Sequence, residues 1–150
     1  MNDVNVTRTF DAPRTLVFDA FTDAKHLVQW CGPHHFTNPR CEFEARPGGA
    51  IHIDMRGPDG TIYPMTGEVK EIRKPERLVF NSLPLDDKGN VLFEVLTTVT
   101  FTETSGKTTV SVNAHVVRTE APVAAQMLAG MEAGWTQSLE RLEQYVRRAA

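Results

Sequence analysis

The chain lacks most of the features that announce a function. Two cysteines in 150 residues, Cys31 and Cys41, exclude the dense disulfide scaffold of small secreted domains. The 16 lysines and arginines are scattered and outnumbered by 19 acidic residues, so no basic surface argues for nucleic acid. Residues 1–20 show neither a basic start nor an apolar run of signal-peptide length, from which we expect a cytoplasmic protein with reduced thiols and no membrane insertion. By the same reasoning the glycosylation triplet Asn5-Val6-Thr7 is read as chance. Internal repeats, low-complexity tracts and linkers are also missing, so residues 1–150 are expected to form one domain. A chain of this size buries roughly 70% of its unfolded surface without metal or disulfides. The formal net charge of -3 and 23% charged residues are ordinary for a soluble protein.

What the chain does have is a hydrophobic period that changes twice. Val4, Val6 and Phe10 share one parity, interrupted by Arg8, and predict a first strand. Asp11 to Pro33 then turns helical. Pro13 suits a first helical turn, Val17, Ala20 and Phe21 follow at helical spacing, and Asp23 can cap a second short helix that places Leu27 and Trp30 on one side. Gly32-Pro33 stops it.

From Arg40 the period becomes two. Cys41, Phe43 and Ala45 alternate with polar residues, Pro47-Gly48-Gly49 turns the chain, and Ile51, Ile53 and Met55 alternate with His52, Asp54 and Arg56. Further strands are predicted over Ile62–Ile72, Arg77–Leu83, Val91–Thr102 and Thr108–Val117. Pro64 and the shift of pattern between Val69 and Ile72 predict a bulge in the first of these. Connections this short leave no room for crossover helices, so the sheet should be antiparallel. Past Pro122 the helical period returns for nearly thirty residues, with Leu128, Met131, Trp135, Leu139, Leu142 and Val146 in one stripe. The expected fold class is α+β: a seven-stranded curved antiparallel sheet, two short helices, and a long C-terminal helix on the concave face.

This arrangement predicts a cavity. Burying the six stripe side chains contributes on the order of 10 kcal/mol, enough to hold the helix on the sheet. An empty apolar void of about 300 Å³ would cost several kcal/mol, so any void must be small, wet or filled. Met127 and Met131, four apart, bear on this because a flexible thioether fills a gap and yields to a ligand.

The residues carry a resemblance over essentially the whole chain. Asp11-Ala12-Pro13 with Val17-Phe18, Trp30-Cys31-Gly32-Pro33, Pro47-Gly48-Gly49, Gly57-Pro58-Asp59-Gly60 with Gly67, Pro75-Glu76-Arg77-Leu78, and Gly134-Trp135 occur in a specific order. In these the chain resembles the START-like, SRPBCC helix-grip superfamily, within it the group named for the activator of heat-shock-protein-90 ATPase homologue. The resemblance implies a helix-grip fold with a hydrophobic tunnel between sheet and last helix. It does not imply one activity, since the superfamily includes lipid carriers, cyclases, hydroxylase subunits and co-chaperone domains. The group commonly shows two adjacent tryptophans before Gly-Pro, whereas the second position here is Cys31.

Strand parity and the helix face select the candidate tunnel lining: Trp30, Met55, Tyr63, Met65 and Phe80, with Met127, Leu128, Met131 and Trp135 from the helix. For Trp30 and Trp135 a plain core-filling role is favoured over ligand contact. Cys31, His34, His35 and Cys41 have metal-ligand types, but their spacing fits no standard zinc site, so neither a metal nor a cofactor is expected. A Cys31 nucleophile with a histidine base lacks an orienting acid. His52, Asp54 and Arg56 share a face opposite Ile51, Ile53 and Met55, and are assigned with Glu94 and His115 to the wet convex side. The leading expectation is a binder of a small hydrophobic or amphipathic molecule, monomeric or homodimeric. The alternatives are a cyclase, dehydratase or hydrolase using the same cavity, and a co-chaperone-like module with a chaperone partner.

Overall fold

The computed structural model describes residues 3–119 and 129–149. Strand β1 (Val4–Phe10) leads into α1 (Arg14–Thr22) and α2 (Ala24–Trp30). Six strands follow: β2 (Thr37–Phe43), β3 (Ala50–Arg56), β4 (Ile62–Arg73), β5 (Arg77–Pro84), β6 (Phe93–Thr104) and β7 (Lys107–Thr119). The last helix, α3, spans Met131–Ala149. Strands β2 to β7 pair in sequence as a meander and β1 returns beside β7, giving the order β1-β7-β6-β5-β4-β3-β2, antiparallel throughout. This is the α+β helix-grip architecture, its sheet curled and α3 lying across the concave side.

Local chemistry explains the joints. Pro13 is not in the first turn of α1 but caps it: its backbone is extended and its carbonyl accepts from the amides of Leu16 and Val17. Asp23 caps α2, its side chain accepting from the Lys25 amide at 2.9 Å. At the far end Gly32 takes φ +101°, a left-handed conformation that turns the chain sharply out of α2. The register of β4 against β5 shifts between Val69 and Glu71, the bulge anticipated between Val69 and Ile72. Ser105 and Gly106, at φ +53° and +79°, form the two-residue turn that joins β6 to β7.

The final helix is described over Met131–Ala149, with Ala129 also helical, and the earlier part of the stripe lies outside the described residues. Met131 follows a turn at Gly130, whose carbonyl accepts from the Gly134 amide at 2.9 Å. Side-chain periodicity runs through Gly130, but glycine holds helical backbone poorly and serves well as a cap. Residues 120–128, Met127 and Leu128 among them, lie outside the described residues.

The core is asymmetric. Leu139, Leu142 and Val146 of α3 are fully buried and pack with Phe18, Phe21 and Trp30 of the short helices and Phe101 of β6. Phe21 meets Trp30 and Phe101 edge-on at ring distances of 4.7 and 5.2 Å, and Phe18 meets Phe101 at 5.1 Å. Arg8, the charge on the inward parity of β1, is accounted for by Glu143 of α3, whose Oε1 accepts from its Nε at 2.8 Å. The C-terminal half of α3 is thereby fastened to β1, α1 and α2, while its N-terminal half stands over the middle of the sheet.

Candidate functional site

A pocket of about 430 Å³ lies between the concave face of the sheet and the N-terminal half of α3. Strand parity builds its floor. The inward residues of β3, β4, β5 and β6 present their side chains to one side, and alternation in β6 is complete from Phe93 to Phe101. The end of α2 and the Cys31–Pro33 turn form one wall, and Met131, Gly134, Trp135 and Ser138 of α3 form the roof.

Of the nine residues selected from sequence, Trp30, Met55, Tyr63, Met65, Phe80, Met131 and Trp135 line this pocket. Met127 and Leu128 fall outside the described residues. The two tryptophans differ. Trp30 is 1% exposed and donates its indole N–H to the Ala20 carbonyl at 3.0 Å, so it is a core residue with one edge on the pocket. Trp135 is half-buried, packing against the core while also lining the pocket, and the helix stripe becomes fully buried only from Leu139 onward. Tyr63 is 46% exposed and marks an edge where the lining meets solvent, rather than the interior its parity suggested.

Sequence reasoning passed over Thr97, Ser82, Ser138 and Cys31 as lining residues. The signal was available for the first two, since Thr97 shares parity with Val95 and Val99, and Ser82 with Phe80. A hydroxyl on an inward strand position reads as an interruption, and only the structure tells interruption from design.

None of the described lining residues carries a formal charge, and none is a histidine. The titratable groups that remain are Tyr63 and Cys31. Burial pushes the Cys31 thiol up to about 12, because the surface it does show faces the pocket rather than bulk water. Such a thiol is protonated at neutral pH and a poor nucleophile. Desolvation likewise raises Cys41, to about 11.

The other polar candidates are dispersed. His52 Nε2 and Asp54 Oδ1 are paired at 3.1 Å, half-buried, on the face of β3 opposite Ile51 and Ile53, and Arg56 is exposed. Glu94 accepts from Asn81 Nδ2 at 3.2 Å and from Arg118 at 3.3 Å, away from the pocket. His115 is exposed and pairs with Asp3, whose carboxyl it holds below the usual carboxylate range. His34 and His35 are exposed; His34 Nε2 lies 3.2 Å from Glu140, and its amide donates to Gln137. Among the described residues no three Cys, His, Asp or Glu side chains gather as a metal site would require. No helix among them is long and apolar enough to cross a membrane.

The comparisons with known proteins agree with this geometry. The sequence profile described as Activator of Hsp90 ATPase homolog 1-like protein matches residues 11–147. No curated protein matches the chain. Among solved structures, the AHSA1 protein of Silicibacter pomeroyi superposes with a TM-score of 0.84 at 22% identity, covering 99% of this chain and 100% of that one. A Staphylococcus epidermidis protein superposes at 0.79 with 27% identity, covering 99% and 92%. One from Chromobacterium violaceum gives 0.79 with 26% identity over 95% of each chain. On the profile match and the shared fold, the chain belongs to the Activator of Hsp90 ATPase homolog 1-like family.

Proposed function

We propose that this protein, acting as one domain over residues 1–150, binds a small hydrophobic or amphipathic molecule in the pocket between sheet and α3. The observation that carries the reading is the lining itself: about 430 Å³ of space enclosed by apolar side chains without a charged group. Pockets of that size and character are the usual small-molecule sites of proteins. The half-buried methionines Met55, Met65 and Met131 offer flexible side chains that adapt to an occupant.

An enzyme of cyclase, dehydratase or hydrolase type needs a positioned acid or base. The His52–Asp54 pair is on the outer face and Cys31 is protonated, which favours binding over catalysis. The two free thiols are in keeping with a reducing, cytoplasmic setting.

The test is a fluorescence titration with the uncharged dye Nile red, paired with native mass spectrometry of protein taken from cells. Saturable one-to-one binding, and a copurified mass of a few hundred daltons that the dye displaces, are expected. Protein that carries nothing and does not bind the dye would overturn the reading.

A further inference from the structure

Buried polar groups in folded proteins are almost always hydrogen-bonded, and an exception calls for a reason. The described buried polar residues are Thr22, Asn38, Asn81, Thr97, Thr108 and Ser138. Thr22 donates to the Phe18 carbonyl at 3.0 Å, and Thr108 to the Ala12 carbonyl at 2.7 Å. Asn38 donates to Val28 and Cys31 through Nδ2, its buried Oδ1 being left without a partner among the described residues, and Asn81 bridges the Glu68 amide and Glu94. Ser138 accepts from the Gly32 amide at 3.1 Å. Thr97 alone of these has a side chain with no hydrogen bond among the described residues; the residue is only 2% exposed and its hydroxyl belongs to the pocket floor.

Thr97 has a companion. It pairs across the sheet with Phe80, and Ser82 pairs with Val95, so Thr97 and Ser82 are diagonal neighbours on adjacent strands of the concave face. Both line the pocket, and Ser82 also makes no hydrogen bond among the described residues. Two hydroxyls, each able to donate and accept, therefore stand in a floor that is otherwise apolar.

Among the described residues that line the pocket none is a lysine, arginine or histidine. Arg141, beside the Cys31–Pro33 wall, donates from Nη1 to the carbonyls of Cys31, Gly32 and Pro33 and is consumed in holding that turn. The sequence of residues 120–128 contains no lysine or arginine either. A carboxylate placed against Thr97 would lose its hydration without gaining a countercharge, a large penalty, whereas a neutral oxygen needs only the hydroxyls.

We propose that the ligand is an uncharged amphiphile of alcohol or carbonyl type, bound with its oxygen inward against Thr97 and Ser82 and its hydrocarbon under Trp135 and Met131. The proposal rests on the pocket-binding reading and narrows it to a chemical class and an orientation.

Titration calorimetry at pH 8 with 1-decanol and decanoate, on the wild type and on Thr97→Val and Thr97→Ser, tests it, with Nile red binding measured on each protein as the control. Decanol should bind the wild type and Thr97→Ser alike, and Thr97→Val should weaken it roughly five- to tenfold, the loss of one hydrogen bond. Decanoate should bind at least about a hundredfold more weakly than decanol. Nile red bound by all three proteins, with decanol indifferent to Thr97→Val or decanoate as tight as decanol, would overturn the inward orientation while leaving the pocket reading intact. Failure of the wild type to bind any of the three probes would bring down both.

Discussion

The hydroxyl of Ser138 on α3 accepts a hydrogen bond from the amide of Gly32, 3.1 Å away in the turn after α2. One helical turn along, Arg141 holds the carbonyls of Cys31, Gly32 and Pro33 at 3.0–3.1 Å. Two residues of one helix thus hold the Gly32 amide and the Gly32 carbonyl, while the Cys31 and Pro33 carbonyls also accept from Asn38 Nδ2 and the Phe36 amide. Removing Ser138 takes the partner from the Gly32 amide, and removing Arg141 takes one from the Gly32 carbonyl. Ser138→Ala should destabilise by about 1–2 kcal/mol and Arg141→Met by a similar amount, the latter reduced by partial exposure. Urea denaturation measures both.

The tryptophans should separate cleanly by the same method. Trp30→Ala removes a buried ring and strands the Ala20 carbonyl, and is expected to cost about 3–5 kcal/mol. Trp135→Ala, whose ring faces the pocket, is expected to cost about 1 kcal/mol because little new cavity is created. Equal losses at the two sites would mean that the pocket collapses onto Trp135 in solution.

Gly134 offers a way to close the pocket without weakening the fold. It lines the pocket from within α3, and a Cβ there meets no atom within 4 Å. Gly134→Leu should raise stability by up to about 1 kcal/mol, from the better helix former, while reducing Nile red binding several-fold. Thermal unfolding and the dye titration report the two effects independently.

Gly67 is the opposite case. A Cβ at this position of β4 would sit 2.1 Å from the backbone oxygen of Asn81 on the neighbouring strand. The strands must separate to admit it, so Gly67→Ala should cost more than about 3 kcal/mol, or leave no soluble protein. Its midpoint in urea measures this against the wild type.

Cys31 predicts a pH dependence. Its folded thiol is raised to about 12, above the value of about 8.5 for an unfolded cysteine. Between these values the unfolded state has released a proton that the folded state retains, so the contribution to stability is complete below about pH 8.5 and falls as pH climbs toward 12. Stability measured from pH 7.5 to 10.5 should decline less steeply in Cys31→Ala. In the native wild type at pH 8, reaction of Cys31 with iodoacetamide should be slow compared with a free cysteine.

The strands and their order were legible because alternation carries the fold. Ile51, Ile53 and Val95 point inward, and a one-residue slip would reverse every one of them. The turn at Gly130 was not legible, since side-chain spacing runs through it, and the expected start of the helix lies outside the described residues. The pocket's hydrocarbon lining followed from parity. Its hydroxyls did not, because threonine suits a strand whether it faces water or the interior, and the unbonded state of Thr97 depends on what β5 and β7 place around it.

The unequal fastening of α3 separates two selective pressures along one helix. From Leu139 to Val146 a substitution is paid in folding, because those side chains complete the aromatic core. From Met131 to Ser138 the side chains that line the pocket are less deeply buried, and a substitution there acts mainly on the roof of that pocket. A fold partitioned in this way can change the shape and polarity of its pocket by altering a few side chains on two helical turns, with no new backbone to invent.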